Sequence, residues 1–222
     1  MTGKGVLVGI LLLAAVPAMA AERCPPSGMT QPKREVALTV SAAPVEYRND
    51  RSRTEITVLA GRTGVPRHIS NTGLTRHHSE FRVTPHMWWV DLSNGRRCVG
   101  LGKVDAHWAI SATTVDVASE YRPGSCQHRV VLEHENEHVS LTRGAFDSMV
   151  PRMRGKLDAL VGRFEPFVTT AGSDAAGDQI LKALMEGVRP ILDEQERLRR
   201  DLNMAIDTPE SYRRTSARCP EW

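Results

Sequence analysis

The segment VVLEHENEHVSLTR, residues 130–143, places His134 and His138 four positions apart, with Glu135 directly after the first histidine. On a helix, positions i and i+4 fall on one side, one turn apart. The two imidazoles can then each offer a nitrogen to one zinc ion. Glu135 stands where its carboxylate can take a proton from a metal-activated water and later pass it to a leaving amine. Two neutral nitrogen ligands leave zinc Lewis-acidic, and the neighbouring carboxylate serves as base, not ligand. Glu137 is not needed by this chemistry: it orients a ligand or faces solvent. The same letters also suit a metal-free helix whose histidines bond to carboxylates or backbone carbonyls, so the surrounding elements have to decide.

Those elements read as helical. Ser125, in the turn RPGSC, is a credible N-cap. After it Val131, His138, Leu141, Ala145 and Met149 recur near one face, with His134 and Glu135 filling the gap in that stripe. Polar rings on an inward stripe are costly to bury unless their nitrogens find partners, and one metal ion would satisfy a nitrogen of each.

No histidine follows His138, so a later acidic ligand or an upstream group has to complete a site. If MRGKLDALVGRF and DQILKALMEGVRPILDEQERLRRDLNMAI fold back about the loop TTAGSDAAG, the end of the last helix lies opposite residues 134–138. Asp201, Asp207 and Glu210 stand there, and Asp207 is the choice for third ligand. Its competing role is local, since Asp207 or Thr208 can cap a final turn opened by Pro209. Tyr212 is a candidate catalytic donor to the oxyanion formed in hydrolysis, or else an aromatic staple for the tail. His128 reaches the site or occupies the first helical turn; His86 and His107 read as structural or surface residues. Trp88, Trp89 and Trp108 line a peptide cleft or supply core area.

The elements that must position these groups divide the chain. Residues 1–20 have one lysine, an apolar run from Val6 to Val16 and the small-residue site Ala18-Met19-Ala20, the pattern of a cleaved signal peptide. A proline-rich leader, 21–34, precedes a single α+β domain over 35–222. Within it the β-rich part is 35–120, the helical part 125–207 and the C-terminal tail 208–222. Strands are expected in EVALTVSAAPVEY, in TEITVLA at 54–60, in FRVTPHMWWVDL, and near 97–101, 103–110 and 113–118. RNDRSR is a charged turn, Asn94-Gly95 a second turn, and 61–80 a long loop. The fold class is therefore α+β: an irregular antiparallel β N-terminal half packed against two long antiparallel helical regions.

Loss of Lys4 with the signal would lower the formal charge of +3 by one, a balance that predicts no nucleic-acid partner. No later segment is apolar for long enough to predict stable membrane insertion after signal removal. All four cysteines lie beyond the signal and read as two disulfides. Chain economy favours Cys98 with Cys126 and Cys24 with Cys219.

The line YRPGSCQHRVVLEHENEHVSL resembles a family of bacterial exported domains of unknown function described as secreted zinc-dependent proteases, in which a cysteine-containing turn leads into an HE-rich helix. The resemblance is clearest over Thr113 to Arg143, and DLNMAIDTPESY is similar in broad character. It implies a zincin-like fold, a periplasmic or secreted location, Zn2+ on His134 and His138, and Glu135 as base. The function expected is zinc-dependent hydrolysis of a peptide or protein substrate, a peptidoglycan stem peptide among the options. The alternative is a non-catalytic exported envelope or binding domain with a structural or absent metal.

Overall fold

The computed structural model describes residues 23–62 and 72–222. The expected signal peptide, and residues 63–71 of the expected 61–80 loop, lie outside the described residues. The spine is a long strand, β4 (Arg97–Val117), with which every other described strand pairs. β3 (Gly73–Asp91) runs antiparallel along one edge of β4, entering it through a short turn at Ser93–Gly95 where Gly95 adopts a φ of 70° that glycine tolerates. On the other edge lie β1 (Glu35–Ala42), β2 (Val45–Arg48) and the short β5 (Phe167–Thr169).

The expected antiparallel β half is corrected here, because β1 and β2 pair parallel with β4. They keep one register along it, Ala42 opposite Ile110 and Val45 opposite Thr113, broken at Ala43-Pro44 where proline has no N–H to contribute. The expectation assumed that consecutive strands pair as hairpins. Instead the chain leaves β2, forms a helix, and returns on the far side of β4 as β3. The β3–β4 hairpin then sets β4 parallel to β1 and β2.

That helix, α1 (Arg53–Arg62), replaces the strand expected at 54–60. Ser52 and Glu55 form a reciprocal cap: the Ser52 N–H donates to Glu55 Oε2 at 2.8 Å, and the Glu55 N–H to Ser52 Oγ at 3.3 Å. Ile56 and Ala60, one turn apart, are completely buried. The alternation in TEITVLA is thus overridden by a cap and a helical pair of core contacts. Residues 73–80 of the expected loop belong to β3, and the three strands expected between 97 and 118 are one.

Two long helices cover one face of the sheet. α2 (Cys126–Gly162) starts at Ser125, whose side chain accepts from the His128 N–H. α3 (Ser173–Ile206) returns against it, and the contacts Leu160–Gly187, Arg152–Glu194 and His138–Asn203 show the antiparallel run. Gly187 has no side chain because one would strike Leu160, so the helices can approach closely there. Pro151 and Pro190 lie inside α2 and α3 without ending them. Trp108 of β4 and Phe146 of α2 pack as a tilted ring pair, centroids 4.6 Å apart, within the core. Trp108 is therefore core, whereas Trp88 covers Gly100 and Trp89 is half exposed. His107 meets Ser41, and His86 meets Asp105, both on the exposed face.

The disulfides join Cys24 to Cys98 and Cys126 to Cys219, correcting the expected pairing. Economy along the chain gave no account of the leader lying beside the start of β4. The first bridge pins that leader, and the second ties the start of α2 to the tail. In the tail, α4 (Pro209–Ser216) begins at Thr208, whose side chain accepts from the Ser211 N–H. Thr208 thus supplies the cap, and the Asp207 side chain is left for other partners.

Candidate metal centre

α2 positions the first three groups of interest. His134 and His138 point toward the end of α3, and Glu135, rotated about 100° around the helix, points toward β3. The C-terminal end of α3 supplies Asp207, and α4 supplies Tyr212. His134 Nε2 lies 3.2 Å and His138 Nε2 3.0 Å from the same oxygen, Asp207 Oδ1. The Tyr212 hydroxyl donates to that oxygen as well, at 3.0 Å. One ligand atom from each of His134, His138 and Asp207 lies within 4.8 Å of the others.

Asn203, one turn before Asp207 on α3, fixes one ring of this set. Its Oδ1 lies 2.7 Å from His138 Nδ1. Its amide nitrogen donates to the Arg199 carbonyl at 2.6 Å and contacts Thr142 Oγ1 at 3.4 Å, which turns the amide oxygen toward the imidazole. With Nδ1–H donating to Asn203, the opposite nitrogen can face an anionic carboxylate oxygen only through a second proton or through a cation.

The electrostatics carry the same demand. Burial opposes a charged imidazolium, yet the hydrogen bond it donates to Asp207 and the charges of Glu135 and Asp207 outweigh it and raise His138 to about 9. Burial alone would raise Asp207, but hydrogen bonds from His134 and His138 hold its carboxyl well below the usual carboxylate range. Burial, then the Asp207 charge, pushes the Tyr212 phenol up. Two imidazole nitrogens and a carboxylate oxygen form a donor set suited to a divalent transition ion, with zinc the common occupant. These residues fit one, because a cation between the three would satisfy the charge that Asp207 and Glu135 concentrate there.

Glu135 is buried behind this cluster, 5% exposed, and burial raises its pKa. The Thr75 hydroxyl on β3 lies 2.8 Å from Glu135 Oε2. Gly73, two residues earlier on the same face of β3, passes so near that a Cβ there would lie 2.5 Å from Glu135 Oε1. The side chains of His134 and His138 are each 10% exposed and that of Asp207 29%, so the cluster opens to solvent on the Asp207 side.

The structure therefore gathers His134, His138, Asp207 and Tyr212, with Glu135 adjacent. His128 sits in the first turn of α2, and Glu137 is exposed. Asp201 pairs with Arg200 and Glu210 with Arg214, both on the surface. Sequence reasoning missed Asn203, Gly73 and Thr75. Asn203 was accessible from helical spacing, four residues before Asp207; Gly73 and Thr75 fell in a stretch read as loop and gave no signal. No family model, curated protein or solved structure matches this chain. The clustered triad, compatible with a zincin-like metal site, is what the geometry adds to the resemblance carried by the α2 sequence.

Proposed function

We propose that the chain is an exported zinc-dependent peptidase with Glu135 as general base. The observation that carries it is the convergence of His134 Nε2, His138 Nε2 and the Tyr212 hydroxyl on Asp207 Oδ1, beside a buried glutamate held by Thr75. A zinc ion held by His134, His138 and Asp207 would supply Lewis acidity for the scissile carbonyl and acidify water at neutral pH.

The chain's own groups do the remaining work. Burial raises the Glu135 pKa, which makes its carboxylate a stronger proton acceptor. Thr75 orients the carboxylate through Oε2, and Glu135 would receive the proton of the attacking water and later deliver it to the leaving amine. The Tyr212 phenol, kept protonated by burial and by Asp207, donates to the developing oxyanion. β3 pairs with β4 along one edge, and no other described strand pairs with its second edge. An extended peptide can add there through backbone hydrogen bonds, which suits a substrate with an unstructured segment.

Export is supported by the pairing of all four cysteines, a state that persists in oxidising compartments such as the periplasm or the exterior. No described helix is long and apolar enough to cross a membrane. The test is Glu135→Gln. Zinc binding is retained and cleavage of an unfolded protein substrate is lost; undiminished cleavage by the purified variant would remove Glu135 from the mechanism.

A further inference from the structure

We infer that Asn203 is a positioning residue for metal binding: it holds the His138 ring with Nδ1–H bonded to its own Oδ1, so that the Nε2 lone pair faces the cation site. The inference rests on the zinc-site proposal above. Its geometry stands in one chain of contacts. His138 Nδ1 lies 2.7 Å from Asn203 Oδ1, while His138 Nε2 lies 3.0 Å from Asp207 Oδ1 on the opposite side of the ring. The ring is thereby gripped at both nitrogens by residues one helical turn apart on α3.

An asparagine amide can present either its oxygen or its nitrogen to a neighbour, and only the oxygen enforces this tautomer. The choice is made by the rest of α3 and α2. The Arg199 carbonyl accepts from the Asn203 amide nitrogen at 2.6 Å, and a carbonyl cannot face the amide oxygen instead. Thr142, buried and one turn after His138 on α2, lies 3.4 Å from the same nitrogen. The amide is thus locked with its acceptor on the imidazole. Among the described residues no hydrogen bond reaches the other nitrogen of His134, so the two histidines are held unequally: His138 by a clamp on both nitrogens, His134 by its helix, by Asp207 on Nε2 and by Tyr212, whose ring centroid is 5.7 Å away. A ligand ring fixed in advance loses less freedom on binding, and such outer partners change metal affinity by about 10–100-fold.

Asn203 does two separable things, accepting from His138 and donating to Arg199, and two variants separate them. Asn203→Leu removes both. Asn203→Asp keeps an acceptor for His138 Nδ1–H but loses the donor to Arg199. Zinc affinity of the purified protein is measured by competition with a chromophoric chelator, after circular dichroism has established that each variant is folded. The expected result is about 10–100-fold weaker binding for Asn203→Leu and binding within about threefold of the parent for Asn203→Asp. Imidazole nitrogen shifts of the zinc-loaded parent should place the His138 proton on Nδ1. Equal loss in both variants would assign Asn203 a merely structural role at Arg199 and overturn the inference, as would parent-like affinity in Asn203→Leu. Failure of the parent itself to bind zinc would overturn the zinc-site proposal and this inference with it, so the two failures are distinguishable.

Discussion

Gly73 and Glu135 meet across the β3–α2 contact with no room for a side chain: a Cβ at position 73 would lie 2.5 Å from Glu135 Oε1 and 2.7 Å from Val131 Cγ1. The bare backbone of an edge strand therefore sets where the proposed base sits. Gly73→Ala should push Glu135 out of line with the cluster. Overpacking of this kind costs roughly 1–3 kcal/mol, and we expect peptide cleavage to fall at least about tenfold while zinc affinity stays near that of the parent. Cleavage rate and chelator competition on the same preparation check this; unchanged cleavage would show that Glu135 tolerates displacement.

Tyr212 touches Asp207 and His134 but belongs to α4, which has no buried residues. Tyr212→Phe removes the hydroxyl and leaves the ring. If the hydroxyl serves the oxyanion, kcat drops by about 100-fold, KM moves little and zinc affinity stays within about threefold. A change confined to zinc affinity would instead make the hydroxyl a support for Asp207.

The disulfide between Cys126 and Cys219 links the first residue of α2 to the tail that follows Tyr212. The tail is also tied by the exposed Arg218–Glu133 ion pair, by the hydrogen bond from Gln127 Nε2 to the Glu221 carbonyl and by the edge contact of Trp222 on Tyr121. Exposed pairs are weak, so the bridge should hold the tail beside the histidines. Replacing both cysteines with serine is expected to weaken zinc binding by at least about tenfold. Replacing Cys24 and Cys98 removes a bridge remote from the cluster and should reduce stability by about 2–5 kcal/mol with zinc affinity of the folded protein unchanged. Equal zinc affinities in the two double variants would show that the second bridge does not serve the site.

His77 on β3 gives a pH signature. Burial, and next the charge of Arg199, pull its pKa from 6.5 down to about 4. The folded state thus keeps this ring neutral while the unfolded chain takes up a proton below 6.5. Its contribution is fully present above pH 6.5 and is lost as pH falls toward 4. The ring is partly exposed, and screening leaves an effect of about 1–2 kcal/mol. Urea midpoints at pH 7 and pH 4.5 should therefore fall more steeply for the parent than for His77→Gln; parallel profiles would contradict the assignment.

Much of the candidate cluster was legible because local geometry carries it. The four-residue spacing of His134 and His138 and the cap at Ser125 read directly as one helix, and folding α3 back on α2 brought Asp207 opposite them. What escaped was non-local. The parallel pairing of β1 with β4 depends on the route of the chain through α1 and β3, which no short pattern encodes. The disulfide partners follow from that same route. α1 escaped for a different reason: the Ser52–Glu55 cap was present in the letters, but the alternation of TEITVLA spoke louder for a strand. Asn203 and Thr75 matter through single hydrogen bonds across elements, and such contacts exist only once the sheet and helices are in place.

The central claim is that His134, His138 and Asp207 hold one zinc ion. X-ray absorption at the zinc edge, on protein loaded with a single equivalent, tests it most directly. The account requires two imidazoles in the coordination shell with oxygen completing it, and loss of tight binding in His134→Ala and in Asp207→Ala. A shell without imidazole, or the same tight binding and spectrum in both variants, would contradict it.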